Sequence, residues 1–371
     1  MSRVLIAAGG TGGHVFPALA VAERLRADGH EVLWLGTETR IESRVVPQAG
    51  FEFIGMAQAG LRGGRLLTKL AAPVRLTRSV LQARKIIRQR NIDLVLGFGG
   101  YTAGPAGVAA WSNGTPLVIH EQNAVPGLTN KLLHKIARRT LLGFAEAESE
   151  LRGALVVGNP VRAEIQALAE TRKEPHEGLR VLVVGGSLGA AHLNQTVPAA
   201  ITDWQGGGLA LRHQVGKGRV AEVQSLYNNK PANVQVDVSE FIEDMAAAYA
   251  WADVVIGRAG ALTIAELACA GVPSILVPYP HAVDDHQAKN AQVLVAVGAA
   301  VMVRQNEFSP AWLSAELKLL SNQADRLSGM ASAARNSAQL HATDNIVAVC
   351  NEFLEVTPKS PKAVKAEQKN D

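Results

Sequence analysis

The hydrophobic positions of the chain form two alternating patterns. Short, continuous apolar runs such as Val4–Ala8 end at glycines, and longer segments with apolar residues every three to four positions follow them. In one such segment, Val15–Asp28, Pro17 lies in the predicted first turn and Gly29 follows as a C-cap. Continuous apolar strands separated by helices are typical of parallel sheets that helices cover on both faces. The pattern therefore predicts an α/β protein.

The two halves of the chain contain the same parts in the same order. Three pairs of segments match: VLIAAGGTGG (4–13) with VLVVGGSLGA (181–190), DLVLGFGGYTAG (93–104) with DVVIGRAGALTI (253–264), and GTPLVIH (114–120) with GVPSILV (271–277). Glycines at strand ends are common in any strand–loop–helix protein, so a single match would carry little weight. Three matches in order favour two similar α/β domains.

The length of 371 residues also favours about two domains. We expect an N-terminal domain over residues 1–162 and a C-terminal domain over residues 163–340. A last helix is expected over 341–356 and a disordered tail over 357–371. The charged segment Thr171–Gly178, TRKEPHEG, is typical of a linker.

The composition excludes several classes of protein. A hydrophobic content of 47% with 19% charged residues indicates a globular chain with a large core. Cys269 and Cys350 are far apart and lack metal-ligand spacing, which favours a reducing compartment without a disulfide framework. No apolar run approaches the ~20 residues of a membrane-spanning helix, and the first apolar run is too short for a signal peptide.

The first glycine loop, Gly9–Gly13, is a candidate anion site because backbone N–H groups at a helix start are free to bind a ligand. It is not a Walker A loop, since no Lys-Ser/Thr follows the glycines, and Val15 stands where the dinucleotide fingerprint needs a third glycine. The alternative is that these glycines only permit a tight turn. The matching loop in the second half favours a ligand cleft instead, because strand ends of both domains would line it.

The segment Arg258–Glu266 carries the second candidate site. Gly260, Ala261 and Thr263 would begin a helix whose N–H groups hold phosphate. Glu266, one turn further, is suited to the two hydroxyls of a ribose, although a solvated helix acid is the alternative interpretation. The chain contains no Asp-x-Asp pair for a Mg²⁺–diphosphate clamp, so helix N-termini and side chains would stabilise a leaving diphosphate.

Several long segments closely resemble one family, the bacterial MurG-type UDP-N-acetylglucosamine–N-acetylmuramyl-(pentapeptide) pyrophosphoryl-undecaprenol N-acetylglucosamine transferases. The resemblance rests on GGTGGHVFPALAVA (9–22), GFGGYTAGP (97–105), HEQNAVPGLTN (120–130), VGNPVR (157–162), VVGGSLGAAHLNQTVP (183–198), EFIEDMAAAYAWADVVIGRAGALTIAELA (240–268) and DDHQAKNA (284–291). It implies a GT-B fold with two Rossmann-like parallel-sheet domains facing a central cleft. It also implies inversion at the transferred sugar, no cofactor and no required metal.

The resemblance further implies that the C-terminal domain binds the donor, UDP-N-acetylglucosamine. The N-terminal domain would bind the acceptor, undecaprenyl-pyrophosphoryl-N-acetylmuramyl-pentapeptide, and the last helix would cross back to this domain. The reaction would convert lipid I to lipid II in peptidoglycan synthesis. The first glycine loop would then meet the diphosphate of the acceptor.

The motif matches assign binding roles to individual residues. The donor residues are Arg162 near the hinge, Ser187 at the diphosphate, Ile242 at the uracil edge, Ala261, Leu262, Thr263, Ile264 and Ala265 at the phosphate-binding helix, Glu266 at the ribose and Gln287 at the sugar hydroxyls. From the opposite wall, the residues that would approach the transferred sugar or the acceptor are Thr11, Gly12, Gly13 and Asn123. Some family members have Ser and Gln where this chain has Ala259 and His286. Those departures affect neighbouring contacts only, since Gln287 is present.

His14 and Glu121 are the candidates for the catalytic base. The positive end of the helix dipole disfavours imidazolium and would keep His14 neutral. The alternative is that His14 only shapes the glycine loop. Glu121 is equally compatible with catalysis and with a purely orienting role.

Residues 62–90 contain nine basic residues, no acidic residue and several interleaved leucines. An apolar patch ringed by positive charge suits an anionic membrane surface. The alternative is an ordinary core-facing helix with a solvated basic side. A lipid-linked acceptor favours peripheral docking on the cytoplasmic face of the bacterial inner membrane, where other cell-wall synthesis proteins are further partners.

Two other functions fit parts of the sequence. A nicotinamide-dependent oxidoreductase would need a better fingerprint in the first glycine loop. A non-catalytic sugar-nucleotide-binding or membrane scaffold protein would bind the donor without transfer. Nucleic acid is not an expected partner, because the residues interleaved with the basic run are aliphatic and not aromatic.

Overall fold

The computed structural model describes residues 1–56, 72–170, 176–186 and 190–354. Ser187, the first part of the basic run, most of the expected linker and the expected tail over 357–371 therefore lie outside the described residues.

The first sheet has seven parallel strands in the order β3-β2-β1-β4-β5-β6-β7. Its strands are β1 (Arg3–Ala8), β2 (Glu31–Thr37), β3 (Glu52–Met56), β4 (Leu94–Gly99), β5 (Leu117–Glu121), β6 (Arg139–Leu142) and β7 (Leu155–Val156). The helices that go with it are α1 (Gly12–Ala27), α2 (Glu42–Gln48), α3 (Ala72–Gln89), α4 (Ala103–Asn113) and α5 (Leu128–His134). We call this sheet and its helices the N-lobe.

The second sheet has six parallel strands in the order β10-β9-β8-β11-β12-β13. Its strands are β8 (Leu179–Val184), β9 (Leu209–Gln214), β10 (Val234–Ser239), β11 (Val254–Gly257), β12 (Ser274–Leu276) and β13 (Ala300–Met302). Its helices are α6 (Ala163–Gln166), α7 (Ala191–Ile201), α8 (Val220–Leu226), α9 (Met245–Trp251), α10 (Ala261–Ala270), α11 (His286–Ala296), α12 (Pro310–Asn322) and α13 (Ala324–Asn336). We call this sheet and its helices the C-lobe.

Both sheets follow the doubly wound strand order, which confirms the predicted pair of Rossmann-like domains. The order reverses between β1 and β4 in the N-lobe and between β8 and β11 in the C-lobe. Ligands of such sheets bind at the carboxyl ends of the strands beside this reversal. The glycine loops identified in the sequence begin at these strand ends.

The continuous apolar strands are buried on both faces. Val4 and Ile6 belong to one hydrophobic cluster, and Leu5 and Ala7 belong to another on the opposite face of the sheet. All four side chains are fully buried. Side chains alternate between the faces of a strand, so a strand covered by helices on both faces needs apolar residues at every position.

The last described helix, α14 (Ala342–Leu354), packs against α1 of the N-lobe. Its residues Ile346, Cys350 and Leu354 are buried in the same cluster as Val4 and Ile6. The Arg24 guanidinium on α1 also donates to Asp344 at 2.9 Å. The chain thus returns to its first domain. The exact domain boundaries at 162 and 340 stay a prediction.

One local prediction was wrong. Helix α1 begins at Gly12, three residues before the predicted start at Val15, so Pro17 lies inside the helix and not in its first turn. Thr11 has extended backbone angles and precedes the first helical residue. Two glycines therefore form the start of the helix, which leaves its first N–H groups without side chains around them.

Candidate functional site

A cavity of about 1000 Å³ lies at the strand-order reversal of the N-lobe. The first glycine loop and Arg40 form its polar wall. Helices α3, α4 and α5 form its apolar walls, with Leu76, Val80, Pro105, Val108, Leu128, Leu132 and Leu133. A cavity with one polar and one apolar wall suits an amphipathic ligand.

The first glycine loop is held by a buried carboxylate that the sequence reasoning missed. Glu42 is fully buried, and its oxygens accept the N–H of Gly10 at 3.1 and 3.2 Å. One of them also accepts the N–H of Thr37 at 3.0 Å. The Gly10 donor is therefore already used within the protein. The N–H groups of Gly12 and Gly13, at the start of α1, are the donors that a ligand phosphate would meet.

His14 lies on the wall of this cavity, in the first turn of α1. Its Nδ1 is 3.3 Å from the Thr11 hydroxyl. Burial lowers the pKa of His14, because desolvation penalises the imidazolium; Glu121 and Glu42 act in the opposite direction. The imidazole is thus neutral at pH 7 and able to accept a proton.

The second glycine turn of the N-lobe packs directly on the first. Gly100 has a φ of 79°, and a Cβ atom there would overlap the carbonyl of Gly9. Only glycine fits this approach. The neighbouring Gly99 lies against the imidazole of His14, since a Cβ on Gly99 would lie 3.1 Å from the ring. The GFGG turn therefore sets the position of the histidine.

Glu121 ends β5 and is buried beneath the loop that follows it. One carboxylate oxygen accepts the backbone N–H and the side-chain amide of Asn123, at 2.9 and 3.2 Å. The other accepts the Gly127 N–H at 3.0 Å and the Asn130 amide at 2.8 Å. These four donors match the four acceptor positions of a carboxylate. The contacts favour the orienting role over the role of base.

The same loop bridges the two lobes through Asn290 on α11. The amide oxygen of Asn290 accepts the Ala124 N–H at 2.8 Å. Its amide nitrogen donates to Asn123 and to the Ala259 carbonyl, each at 3.2 Å. Asn290 is fully buried, so these bonds form without competition from water. The loop that Glu121 holds is thereby fixed through Asn290 on α11 to Ala259, which lies just before the predicted phosphate-binding helix of the C-lobe.

The predicted donor residues of the C-lobe gather around α10. Gly260 is the extended residue before the helix, and Ala261, Leu262 and Thr263 supply its first N–H groups. Ile264 and Ala265 follow in the same helix. Glu266, one turn further, is buried, and its Oε1 lies 3.4 Å from the Arg162 guanidinium.

Arg162 also contacts the opposite lobe, with its guanidinium 5.9 Å from the centre of the Phe16 ring on α1. Arg162 thus connects Glu266, the predicted ribose-binding residue, to the helix that carries His14. This position between the lobes agrees with the hinge location predicted from the sequence.

Two other predicted donor residues, Gln287 and Ile242, lie on other parts of the C-lobe. The side-chain amide oxygen of Gln287, at the start of α11, accepts the backbone N–H of Tyr279 at 2.9 Å. Its amide nitrogen is thereby oriented as a donor. Ile242 is half-buried in the loop before α9. Ser187 lies outside the described residues, so its role at the diphosphate stays a prediction.

The comparisons with known proteins agree along nearly the whole chain. Residues 4–142 match the glycosyltransferase family 28 N-terminal domain, and residues 180–346 match the family 28 C-terminal domain. These two ranges contain the N-lobe and C-lobe glycine loops.

Two similar curated proteins carry the name UDP-N-acetylglucosamine–N-acetylmuramyl-(pentapeptide) pyrophosphoryl-undecaprenol N-acetylglucosamine transferase. The protein from Shewanella amazonensis is 52% identical over 95% of this chain and 98% of its own. The protein from Shewanella baltica is 51% identical over the same shares.

A similar solved structure is the crystal structure of Acinetobacter baumannii MurG. It is 39% identical, covers 95% of this chain and 100% of its own, and superposes with a TM-score of 0.80. The chain therefore belongs to glycosyltransferase family 28 and, within it, to the MurG family of GT-B glycosyltransferases.

Proposed function

We propose that this enzyme transfers N-acetylglucosamine from UDP-N-acetylglucosamine to the C4 hydroxyl of undecaprenyl-pyrophosphoryl-N-acetylmuramyl-pentapeptide, with inversion at the sugar. The observation that carries the proposal is the 52% identity over 95% of the chain to a transferase named for these substrates. In each lobe a glycine loop begins beside the strand-order reversal, which supports a reaction between two phosphate-bearing substrates.

The C-lobe binds the donor. The first N–H groups of α10 bind its diphosphate, and the carboxylate of Glu266 accepts hydrogen bonds from the ribose hydroxyls. Gln287 donates to a hydroxyl of the sugar. Because the positive end of the helix dipole is aimed at the diphosphate, it stabilises the negative charge that develops when UDP leaves.

The N-lobe binds the acceptor and activates it. Gly12 and Gly13, which follow the cavity-lining residue Thr11, donate to the acceptor diphosphate, and Arg40 on the cavity wall supplies a positive charge. The acceptor oxygen forms a bond to the anomeric carbon while the bond to UDP breaks on the opposite face. His14 takes the proton of the attacking hydroxyl, which its lowered pKa permits at neutral pH.

The direct test is a transfer assay with labelled UDP-N-acetylglucosamine and a lipid-pyrophosphate muramyl acceptor. We expect a product that contains both sugars and release of one UDP per transfer. Omitting the acceptor is the control and should abolish UDP release. Binding of UDP without transfer would contradict the proposal and favour a non-catalytic sugar-nucleotide-binding protein.

An apolar surface adjoins the acceptor cavity, and its residues Leu76, Val108, Leu128 and Leu132 also line the cavity. Exposed apolar side chains lie on three neighbouring helices of the N-lobe: Val74, Leu76 and Leu81 on α3, Val108 and Trp111 on α4, and Leu128 and Leu132 on α5. We call these residues the apolar face. Helix α3 also carries Arg75, Arg78, Arg84, Lys85 and Arg88. Arg84 and Arg88 both donate to Asn113 on α4, which holds the two helices together.

The apolar face supports peripheral docking on an anionic membrane at the cytoplasmic side, next to the lipid-linked acceptor. Among the described residues, no helix is both long and apolar enough to cross a bilayer. Docking would place the cavity mouth at the headgroup level, where the acceptor diphosphate lies. The basic side chains of α3 each add ~1 kcal/mol near an anionic surface.

We expect the double variant Leu128→Ser/Leu132→Ser to bind anionic vesicles at least about tenfold more weakly, because each leucine loses roughly 1.5 kcal/mol or more of burial. Both side chains are mostly exposed, so the fold should be preserved. Vesicle sedimentation at low and high salt measures the effect. Leu319→Ser, an exposed leucine on α12 of the C-lobe, is the matched control and should bind as the unmodified protein does. Absence of vesicle binding at low salt would overturn membrane docking.

A further inference from the structure

A buried tyrosine contacts Glu266, the predicted ribose-binding residue, at the carboxylate oxygen that Arg162 does not contact. Tyr249, on α9, is 1% exposed. Its hydroxyl donates to Oε2 of Glu266 at 3.0 Å, and this bond is itself buried. The other oxygen of Glu266 is the one near Arg162. Glu266 is thus held by one neutral donor and one cationic donor.

The two contacts leave some acceptor positions of the Glu266 carboxylate open. An ionised carboxylate has about four acceptor positions on its two oxygens. Tyr249 uses one on Oε2 and Arg162 uses one on Oε1. One position then remains on each oxygen. The 2′ and 3′ hydroxyls of a ribose present two neighbouring donors, which match these two positions.

The charge state of Glu266 depends on the same two contacts. Burial raises the pKa of this carboxyl group above its usual value, and the charge of Arg162 and the hydrogen bond from Tyr249 offset only part of that rise, so both contacts favour the ionised form. Burial also raises the pKa of Tyr249 well above its usual value, so the phenol stays protonated and donates. Glu266 can accept from both ribose hydroxyls at once only while it is ionised and correctly oriented.

We propose that Tyr249 is a positioning residue for the donor: it holds the Glu266 carboxylate ready for the ribose diol and so sets the preference for ribonucleotide over deoxyribonucleotide sugars. The inference rests on the proposed donor role of Glu266. Tyr249 itself need not touch the donor, because it acts through the carboxylate.

The experiment compares the affinities for UDP and 2′-deoxy-UDP by calorimetry. In the unmodified enzyme, UDP should bind more tightly, because the 2′ hydroxyl is a partner of Glu266. Tyr249→Phe should weaken UDP binding about tenfold, the effect of losing a hydrogen bond to a charged group. Binding of 2′-deoxy-UDP should weaken less, because only its 3′ hydroxyl is a partner of Glu266. The ratio of the two affinities should therefore fall. The KM for the sugar nucleotide should rise in parallel, with kcat at saturating donor nearly unchanged.

Tyr227 provides a matched control. It is another buried tyrosine of the C-lobe, 2% exposed, and its hydroxyl bonds to Nδ1 of His213 at 2.8 Å. Tyr227→Phe removes the same atom from the same lobe and should leave the affinity ratio intact. Tyr249→Met, which also lacks the hydroxyl, is measured beside Tyr249→Phe in case one variant folds poorly.

The outcomes separate the inference from the proposed function. An unmodified enzyme that does not bind UDP, or does not prefer it to the deoxy analogue, would overturn the donor role of Glu266. An unmodified enzyme that shows the preference, together with folded Tyr249 variants that keep it in full, would overturn the role of Tyr249 alone.

Discussion

His14→Ala should lower kcat by about 100- to 10,000-fold, the range that a positioned general base contributes. The imidazole lies on the cavity wall beside the first glycine loop, and its lowered pKa keeps it neutral at pH 7. Steady-state transfer assays measure the loss. Donor affinity should stay unchanged, because the predicted donor contacts lie on the C-lobe. Near-normal turnover would leave His14 only the role of shaping the loop.

The pH profile provides an independent check on His14. The neutral form is the active base, so the rate should rise with pH through the pKa of the histidine and then level off. Because burial lowers that pKa, the acid limb should lie below the usual range near 6.5. His341→Ala, at an exposed position before α14, is the control and should keep both the rate and the acid limb of the pH profile.

Glu121→Gln should destabilise the fold by about 3 kcal/mol and reduce activity with it. The substitution puts an amide nitrogen where one carboxylate oxygen now accepts two donors, so both of those donors lose their acceptor. The distortion should reach the bond between Asn123 and Asn290 that joins the lobes. Chemical unfolding measures the stability, and the transfer assay measures the activity.

The combination of results distinguishes the two roles of Glu121. If Glu121 only orients the loop, Glu121→Gln should have lower stability and a residual activity whose pH profile keeps the acid limb assigned to His14. If Glu121 is the catalytic base, the variant should have normal stability and should lose both turnover and the acid limb of the pH profile. That result would contradict our interpretation. Glu148→Gln, at an exposed carboxylate of the N-lobe, should change neither property.

The sequence predicted most of the fold because the fold depends on local patterns. Apolar runs such as Val4–Ala8 are strands buried on both faces, and the repeated order of strands and helices corresponds to two sheets with the same topology. The start of α1 was misplaced because glycines after a strand indicate a turn. Here Gly12 and Gly13 form the first helical residues instead.

The candidate site was predicted less completely. The motifs identified His14, Arg162 and Glu266, because each stands in a recognisable local context. They did not identify Glu42, which binds Gly10 across 32 positions of the chain. An acid after the second strand was the one available indication, since that place often holds a ligand-binding acid in dinucleotide-binding folds. Asn290 lies within the motif DDHQAKNA, but nothing in the local sequence indicates that its partner is Ala124, 166 positions away.

The sequence by itself determined the two α/β domains, the glycine loops at their strand ends and the family to which the chain belongs. These features depend on side-chain periodicity, glycine conformation and long motifs, all of which are written in consecutive residues. Only the tertiary structure decided which polar groups meet: Glu42 with the first glycine loop, Glu121 with its four donors, and Tyr249 with Glu266. Such contacts depend on how distant segments pack in three dimensions, which consecutive residues do not specify.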